Sequence, residues 1–330
     1  APSVGRSRLV YATALACAEP ADLYVSPDGD DAALGTQAEP FATLQRARGE
    51  VRALKAAADF AGATVHVQAG TYELTEPLVL GPKDSGADGT PVVWRGDGDG
   101  RTVLVGAREV TGFAPFEGEI LRANLTGTDL EGVAFGQLLF GGERMVLARY
   151  PNVDPDDPHM GEWAHILRVA GENVKDRFVA TDDVIKHWAN VSDAQVCIHG
   201  GHDWAWNVRT IASADRATGE IALARNTSYD LRIGDRYFVQ DLLAELDSPG
   251  EWYLDRAAST LYFWPPADLA TGGVFAPVTD TVIQMEGAAN ITVRDFTIEA
   301  CDRDAVVIRD CESCVVAGSV IRNCGGWGVC

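Results

Sequence analysis

The chain has no run of 18 consecutive apolar residues, which excludes a membrane-spanning helix. Basic charge is scarce: 27 Lys and Arg stand against 48 Asp and Glu, for a net charge of −21. A surface of that sign repels nucleic acid and anionic membranes, so neither is an expected partner. A polyanionic substrate would need a local basic patch, and none stands out along the sequence. Also missing are a nucleophile elbow, a phosphate-binding loop, a zincin helix and a dinucleotide fingerprint.

What is present is a repeat. Thr281–Val307, shifted by 23 residues, falls on Asp304–Cys330. Met285 then meets Ile308, Ile291 meets Cys314, Val293 meets Val316, Ile298 meets Ile321, Cys301 meets Cys324 and Val306 meets Val329. Apolar falls on apolar each time. A short period with preserved inward positions marks a solenoid, and one strand-and-turn coil of this length suits a parallel β-helix. The repeat stops in mid-coil at Cys330, so the expectation is that further coils belong to the solenoid.

The seven cysteines fit this frame. Cys311 and Cys314 have metal-like spacing, but Cys311 aligns with Ala288, Cys314 with Ile291 and Cys330 with Val307. They read first as small plugs in interior rows. A Cys301–Cys324 disulfide ranks second, because adjacent strands lie roughly 4.8 Å apart and a disulfide wants closer Cβ atoms. A zinc site ranks third, and no metal is assigned.

Upstream, Phe41, Leu44, Ala47, Val51, Leu54 and Ala58 recur at helical spacing, predicting a helix that caps the solenoid. Short β-runs follow at Thr64–Gln68, Glu76–Leu80, Pro91–Gly96 and Thr102–Gly106, divided by Gly, Pro and Asp. From Phe113 the pattern becomes one of hairpins, at Gly141-Gly142, Asp215–Gly219 and Asp255–Thr260. Antiparallel hairpins cannot be coils of a parallel helix. The predicted fold is therefore all-β: a right-handed parallel β-helix with an N-terminal capping helix over 22–112, an inserted antiparallel sandwich- or barrel-like domain over 113–275, and further coils over 276–330. Residues 1–21 read as a tail or signal remnant. Arg6 and Arg8 precede the apolar Leu9–Ala16, with small-residue cleavage patterns at Ala14–Ala18. That favours a secreted or periplasmic protein, with Cys17 suggesting a lipid-anchored variant.

Several segments resemble known proteins. Tyr24–Asp31, Gly35-Thr36 and Pro40–Leu44, with Val67–Tyr72, resemble the opening of secreted parallel β-helix proteins that act on polysaccharides. Ala148–Asn152, Pro249–Asp255 and Leu261–Phe263 resemble the inserted β-domain of the β-helix glycoside hydrolases of xylosidase and fucosidase type. The resemblance implies hydrolysis of a polysaccharide or oligosaccharide by two carboxylates on later coils, beyond residue 330, so no catalytic residue is assigned. A polysaccharide lyase acting on a uronate polymer and a non-catalytic β-helix adhesin are the alternatives.

Within the insertion, His199, His202, Asp203, Trp204 and Trp206 lie on a Gly-rich stretch. Indole faces stack on sugars, and imidazole and carboxylate bond hydroxyls, so these are the candidate substrate-binding residues. The simpler reading, tryptophans that anchor the insertion onto the coils, takes precedence over it. No cofactor is called for. Asp28, Asp30 and Asp31 and the Gly96–Gly100 loop leave calcium open through oxygen ligands, but neither loop has full EF-hand spacing.

Overall fold

The structure is a computed structural model that describes residues 19–56, 60–157, 162–180, 183–201 and 203–330. The export reading of the N-terminus and the candidate His202 lie outside the described residues. The chain is mostly β, with one α-helix. No described helix is long and apolar enough to cross a membrane.

Three parallel sheets form the first and last parts of the chain. One joins Ala21–Val25, Ala63–Val67, Val92–Gly96, Ile291–Arg294 and Val315–Ala317. The second joins Gly70–Glu73, Thr102–Val105, Thr297–Cys301 and Val320–Cys324. The third joins Leu78–Leu80, Ile283–Glu286 and Val306–Arg309. The chain visits them in the same order on each circuit, so side chains one circuit apart stack in rows. One row runs Leu23, Val65, Trp94, Val293 and Val316. Another runs Tyr72, Leu104, Ile298 and Ile321. The predicted pairs Met285–Ile308, Cys301–Cys324 and Val306–Val329 are in register. Leu104, Ile298 and Met285 are completely buried. Each such side chain contributes about 1.5–3 kcal/mol. Cys301 and Cys324 are both free thiols, and burial pushes Cys301 up to about 12.

The helix α1, Leu44–Lys55, starts where Thr43 accepts a hydrogen bond from the Arg46 N–H. Its buried face, Leu44, Ala47 and Val51, joins the same core as Val25 and Val65. The helix is tied down by Arg52, which donates to both oxygens of buried Asp84 at 2.6 and 2.7 Å. Gly35 has φ +74°, and a Cβ there would meet the Phe41 ring at 2.2 Å, so only glycine lets the loop close over that ring. Gly70–Glu73, which falls between two of the β-runs read from the sequence, is a strand of the second sheet.

Between Val105 and Ile283 the chain leaves the stack and builds two further cores, one inside the other. The outer is a sandwich. One of its sheets pairs Glu143–Arg144, Leu139–Phe140, Val274–Pro277 and Ala107–Glu109. The other pairs Val146–Leu147, Glu251–Asp255, Thr260–Phe263, Ile120–Asn124 and Ala114–Glu117. Trp252, Phe263, Phe140 and Phe135 fill the space between them. The inner core is a six-stranded antiparallel barrel. Its strands run Arg236–Gln240, Ala164–Val169, Arg177–Ala180, Glu220–Leu223, Ala205–Asp215 and Gln195–Gly200, and the last pairs back with the first. Closure removes both sheet edges. A 3-10 turn, Asp183–His187, lies between two of these strands.

Candidate functional site

Alternation along the barrel strands sorts side chains into two sets. Val196, Ile198, Tyr237 and Val239 point inward to the core. Cys197, His199, Trp206 and Phe238 take the opposite, outer face. His199 and Trp206 are direct partners across the hairpin, with ring centroids 4.7 Å apart. Phe238, paired with Cys197 on the neighbouring strand, lies 5.8 Å from Trp206. Trp163 meets His199 and Phe238 at 5.4 Å each and stands edge-on to Trp206 at 6.4 Å.

Two cations frame this group. Arg236 lies over the Trp163 ring at 4.9 Å, and Arg149 over Phe238 at 3.7 Å. Arg236 also faces Asp203 at 3.2 Å, which links the loop tip to the cluster. Burial, and then the Arg236 charge, hold the His199 imidazole below its ordinary range, so it is neutral at pH 7. Its buried Nδ1 has no hydrogen-bond partner. Cys197 is pushed up to about 12 by burial, which rules it out as a nucleophile at neutral pH.

Trp204 stands apart from this cluster, beside Tyr229 at 4.9 Å. Asn207 makes that pairing. Its buried Oδ1 accepts from Ser228 N–H and Oγ, both at 3.0 Å, and from Arg209 at 2.9 Å, which pins the 226–229 segment to the hairpin. Trp204 is 69% and Trp206 48% exposed, and all their ring contacts are within the barrel. The reading of these tryptophans as anchors onto the coils is therefore corrected: a side chain wedged at a domain junction would be buried. Hydrogen bonds from the sandwich do that work instead. Gln137 Nε2 donates to Cys301 O at 2.7 Å, Arg144 to Cys324 O at 2.8 Å, and Asn323 to Gly142 O at 2.8 Å.

Of the candidate residues, His199, Trp206 and, through Arg236, Asp203 come together; Trp204 forms a second pair. Trp163, Phe238, Arg149 and Arg236 complete the face and escape a linear reading. Phe238 reaches it only because its strand closes the barrel.

Among the parallel strands no registered pair sets two carboxylates side by side. Glu299 pairs instead with Arg322 at 2.5 Å. The acidic loops are engaged internally. Asp31 accepts from Ala42 and Thr43 N–H at 2.9 Å and from Thr43 Oγ1 at 2.7 Å, and Asp97 pairs with Arg101 at 2.9 Å. Among the described residues no group of three or more His, Cys, Asp or Glu is placed to hold a metal.

No family model matches the chain. Pectate lyase PEL9 of Emericella nidulans is 32% identical over 109 residues, which is 33% of this chain and 24% of the lyase. The uncharacterised protein YwoF of Bacillus subtilis is 39% identical over 100 residues, 30% of this chain and 18% of that protein. A solved structure titled glycoside hydrolase superposes with a TM-score of 0.72 at 24% identity, over 84% of this chain and 50% of that one. The chain thus spans half or less of each of these proteins and shares its fold with the solved hydrolase over most of its own length.

Proposed function

We propose that the chain forms the first coils and inserted domains of a right-handed parallel β-helix protein that acts on polysaccharide outside the cytoplasm, with glycosidic hydrolysis as its reaction. The observation that carries the carbohydrate reading is the outer face of the barrel. Exposed Trp206 and partly exposed Trp163, set nearly at right angles with a neutral His199 between them, offer apolar ring surface flanked by hydrogen-bonding groups. Sugar rings bind such surfaces by stacking their C–H faces on indole. The fold shared with the glycoside hydrolase supports the choice of reaction.

In this reading the barrel grips the polymer and the coils carry the cleavage. Hydrolysis needs two carboxyl groups roughly 5–5.5 Å apart for retention or 6.5–9.5 Å for inversion. Equivalent positions on adjacent coils lie about 4.8 Å apart, and skipping one coil about doubles that. In this reading the pair lies on coils outside the half of the solved hydrolase that this chain matches. The local likeness to pectate lyase PEL9 favours a second reading, cleavage by β-elimination of a uronate polymer.

Affinity electrophoresis of this chain in gels containing xylan, arabinan, galactan or pectate tests the binding. Retardation by at least one polymer, lost in Trp206→Ala, is the expected result; equal mobility in every gel overturns it. Digestion with the full-length enzyme separates the reactions. Hydrolysis releases reducing ends with no ultraviolet absorbance, whereas elimination creates an absorbing unsaturated uronate.

A further inference from the structure

Where the barrel meets the sandwich there is a pocket of about 300 Å³, lined among others by Asn190, Ser192, Asp193, Asp241, Tyr253 and Asp255. It lies at the lower end of the range for small-molecule sites, and at a module boundary, where such sites concentrate. One of its lining groups is the buried Asp241. This residue is 2% exposed, has φ +64°, and is fixed by its own N–H donating to Ala148 O at 3.0 Å. One carboxylate oxygen pairs with Arg256 at 3.0 Å; the other, Oδ1, has no partner. A buried carboxylate oxygen without a donor is costly, and native proteins seldom keep one without a reason.

The surroundings define what kind of ligand the pocket suits. Asp193 and Asp255 lie close enough to the pocket's tyrosine for their charges to act on it. Tyr253 is pushed up to about 12, first by burial and then by the charges of Asp193, Asp255 and Asp241. The pocket is therefore rich in acceptors, and Arg256 is already committed to Asp241. A uronate or phosphate would meet like charge there. A metal ion does not suit it either, since no described set of three acidic, histidine or cysteine side chains converges. A neutral sugar does. Its hydroxyls donate to carboxylates, and Leu242, Leu243 and the Tyr253 ring give its C–H face an apolar wall.

We propose that this junction pocket holds one neutral sugar residue, with hydroxyls donating to Asp241 Oδ1 and to Asp193 and Asp255. The proposal rests on the carbohydrate reading above and narrows it, because a pocket of this sign selects neutral residues over uronates even if the polymer carries both.

Titration calorimetry of the chain with the methyl glycosides of xylose, arabinose, galactose and glucose, and with glucuronate, is the test. At least one neutral glycoside should bind in the millimolar range, about ten-fold or more tighter than glucuronate. Ser192→Trp fills the pocket from an exposed position and should abolish that binding, with Asp255→Asn as the second variant should the first fail to fold. Glu299→Gln, on the outside of the coil stack, should leave it unchanged. Absence of neutral-sugar binding, glucuronate binding as tightly, or full binding retained in both pocket variants each overturns the proposal. If the chain is still retarded by polysaccharide gels while these titrations are silent, the pocket proposal fails alone. If both are silent, the carbohydrate reading fails with it.

Discussion

The coil stack and the barrel are both all-β, yet each strand finds its neighbour by a different rule. In the stack, Ile298 lies between Leu104 and Ile321, and the Ile298–Ile321 step repeats the 23-residue period of every other row in the last two coils. In the barrel, Arg236–Gln240 pairs with Arg149–Tyr150, Ala164–Val169 and Gln195–Gly200, at three unrelated separations. A periodic stack makes each coil a restatement of the last, so its core can be extended without redesign. A closed barrel is finished once its first and last strands meet, and its outer wall is then available to carry a binding face. The stack thus supplies length and the barrel supplies a surface.

Deleting a core side chain should expose that difference most strongly. Ile298→Ala removes a completely buried side chain from the middle of a row and should cost about 2–5 kcal/mol. Ile198→Ala, buried in the barrel, should cost a similar amount. The consequences should differ. Hydrogen exchange should show the Ile298 variant loosening both the stack and the sandwich hung from it, whereas the Ile198 variant should lose protection in the barrel alone. Matching exchange patterns in the two variants would falsify the idea that the barrel is a separate cooperative unit.

The same difference decides what can be read from the sequence. The rows Met285–Ile308, Val293–Val316 and Ile298–Ile321 are legible because the register is written as a repeat. The hairpins Glu251–Asp255 with Thr260–Phe263 and Ala205–Asp215 with Glu220–Leu223 are legible because their turns are short and local. Nothing local marks the closure of Gln195–Gly200 onto Arg236–Gln240, so Phe238 and Arg236 stay hidden although His199 and Trp206 stand out. Trp163 reaches the cluster from just outside a strand. Exposure is the other property that a residue list lacks: Trp206 as an anchor and Trp206 as a platform are identical on paper.

Acidity should probe the seam between the two insertion cores. Buried Glu251 accepts from Arg149 N–H at 3.2 Å and from Asp247 and Ser248 N–H at 3.1 Å, joining the strand that enters the barrel to the turn that leaves it. Burial outweighs these donors and pushes its carboxyl up to about 7. The folded state therefore holds this proton more tightly than the unfolded chain does. Its contribution is fully present below the unfolded value near 4.5 and is lost as pH rises through 7. The loss is about 3 kcal/mol at the full shift. Urea unfolding between pH 4.5 and 8 should show that slope in the wild type and a flatter profile in Glu251→Gln. Parallel profiles would sink the assignment.

The barrel face should respond in binding and barely in stability. Trp206→Ala removes a ring that is 48% exposed, so unfolding should shift by no more than about 0.5–1 kcal/mol. Affinity for the retarding polysaccharide should fall about ten-fold, near 1.4 kcal/mol. A large loss of stability with unchanged affinity would return Trp206 to a structural role.

The smallest effect belongs to the charged ladders on the outside of the stack. Glu299 and Arg322 occupy equivalent positions on adjacent coils and pair at 2.5 Å, with Glu299 15% and Arg322 50% exposed at the side chain. Glu286 and Arg309 are in register too, but Glu286 turns to Gln284 and accepts from its amide at 3.1 Å. Register alone therefore does not make an ion pair. A double-mutant cycle on Glu299 and Arg322 should give a coupling of about 0.2–1 kcal/mol, falling as salt is raised. The same cycle on Glu286 and Arg309 should give close to zero. If the two couplings are equal, the repeat itself sets the electrostatics of the stack, and the local choice made by Gln284 is immaterial.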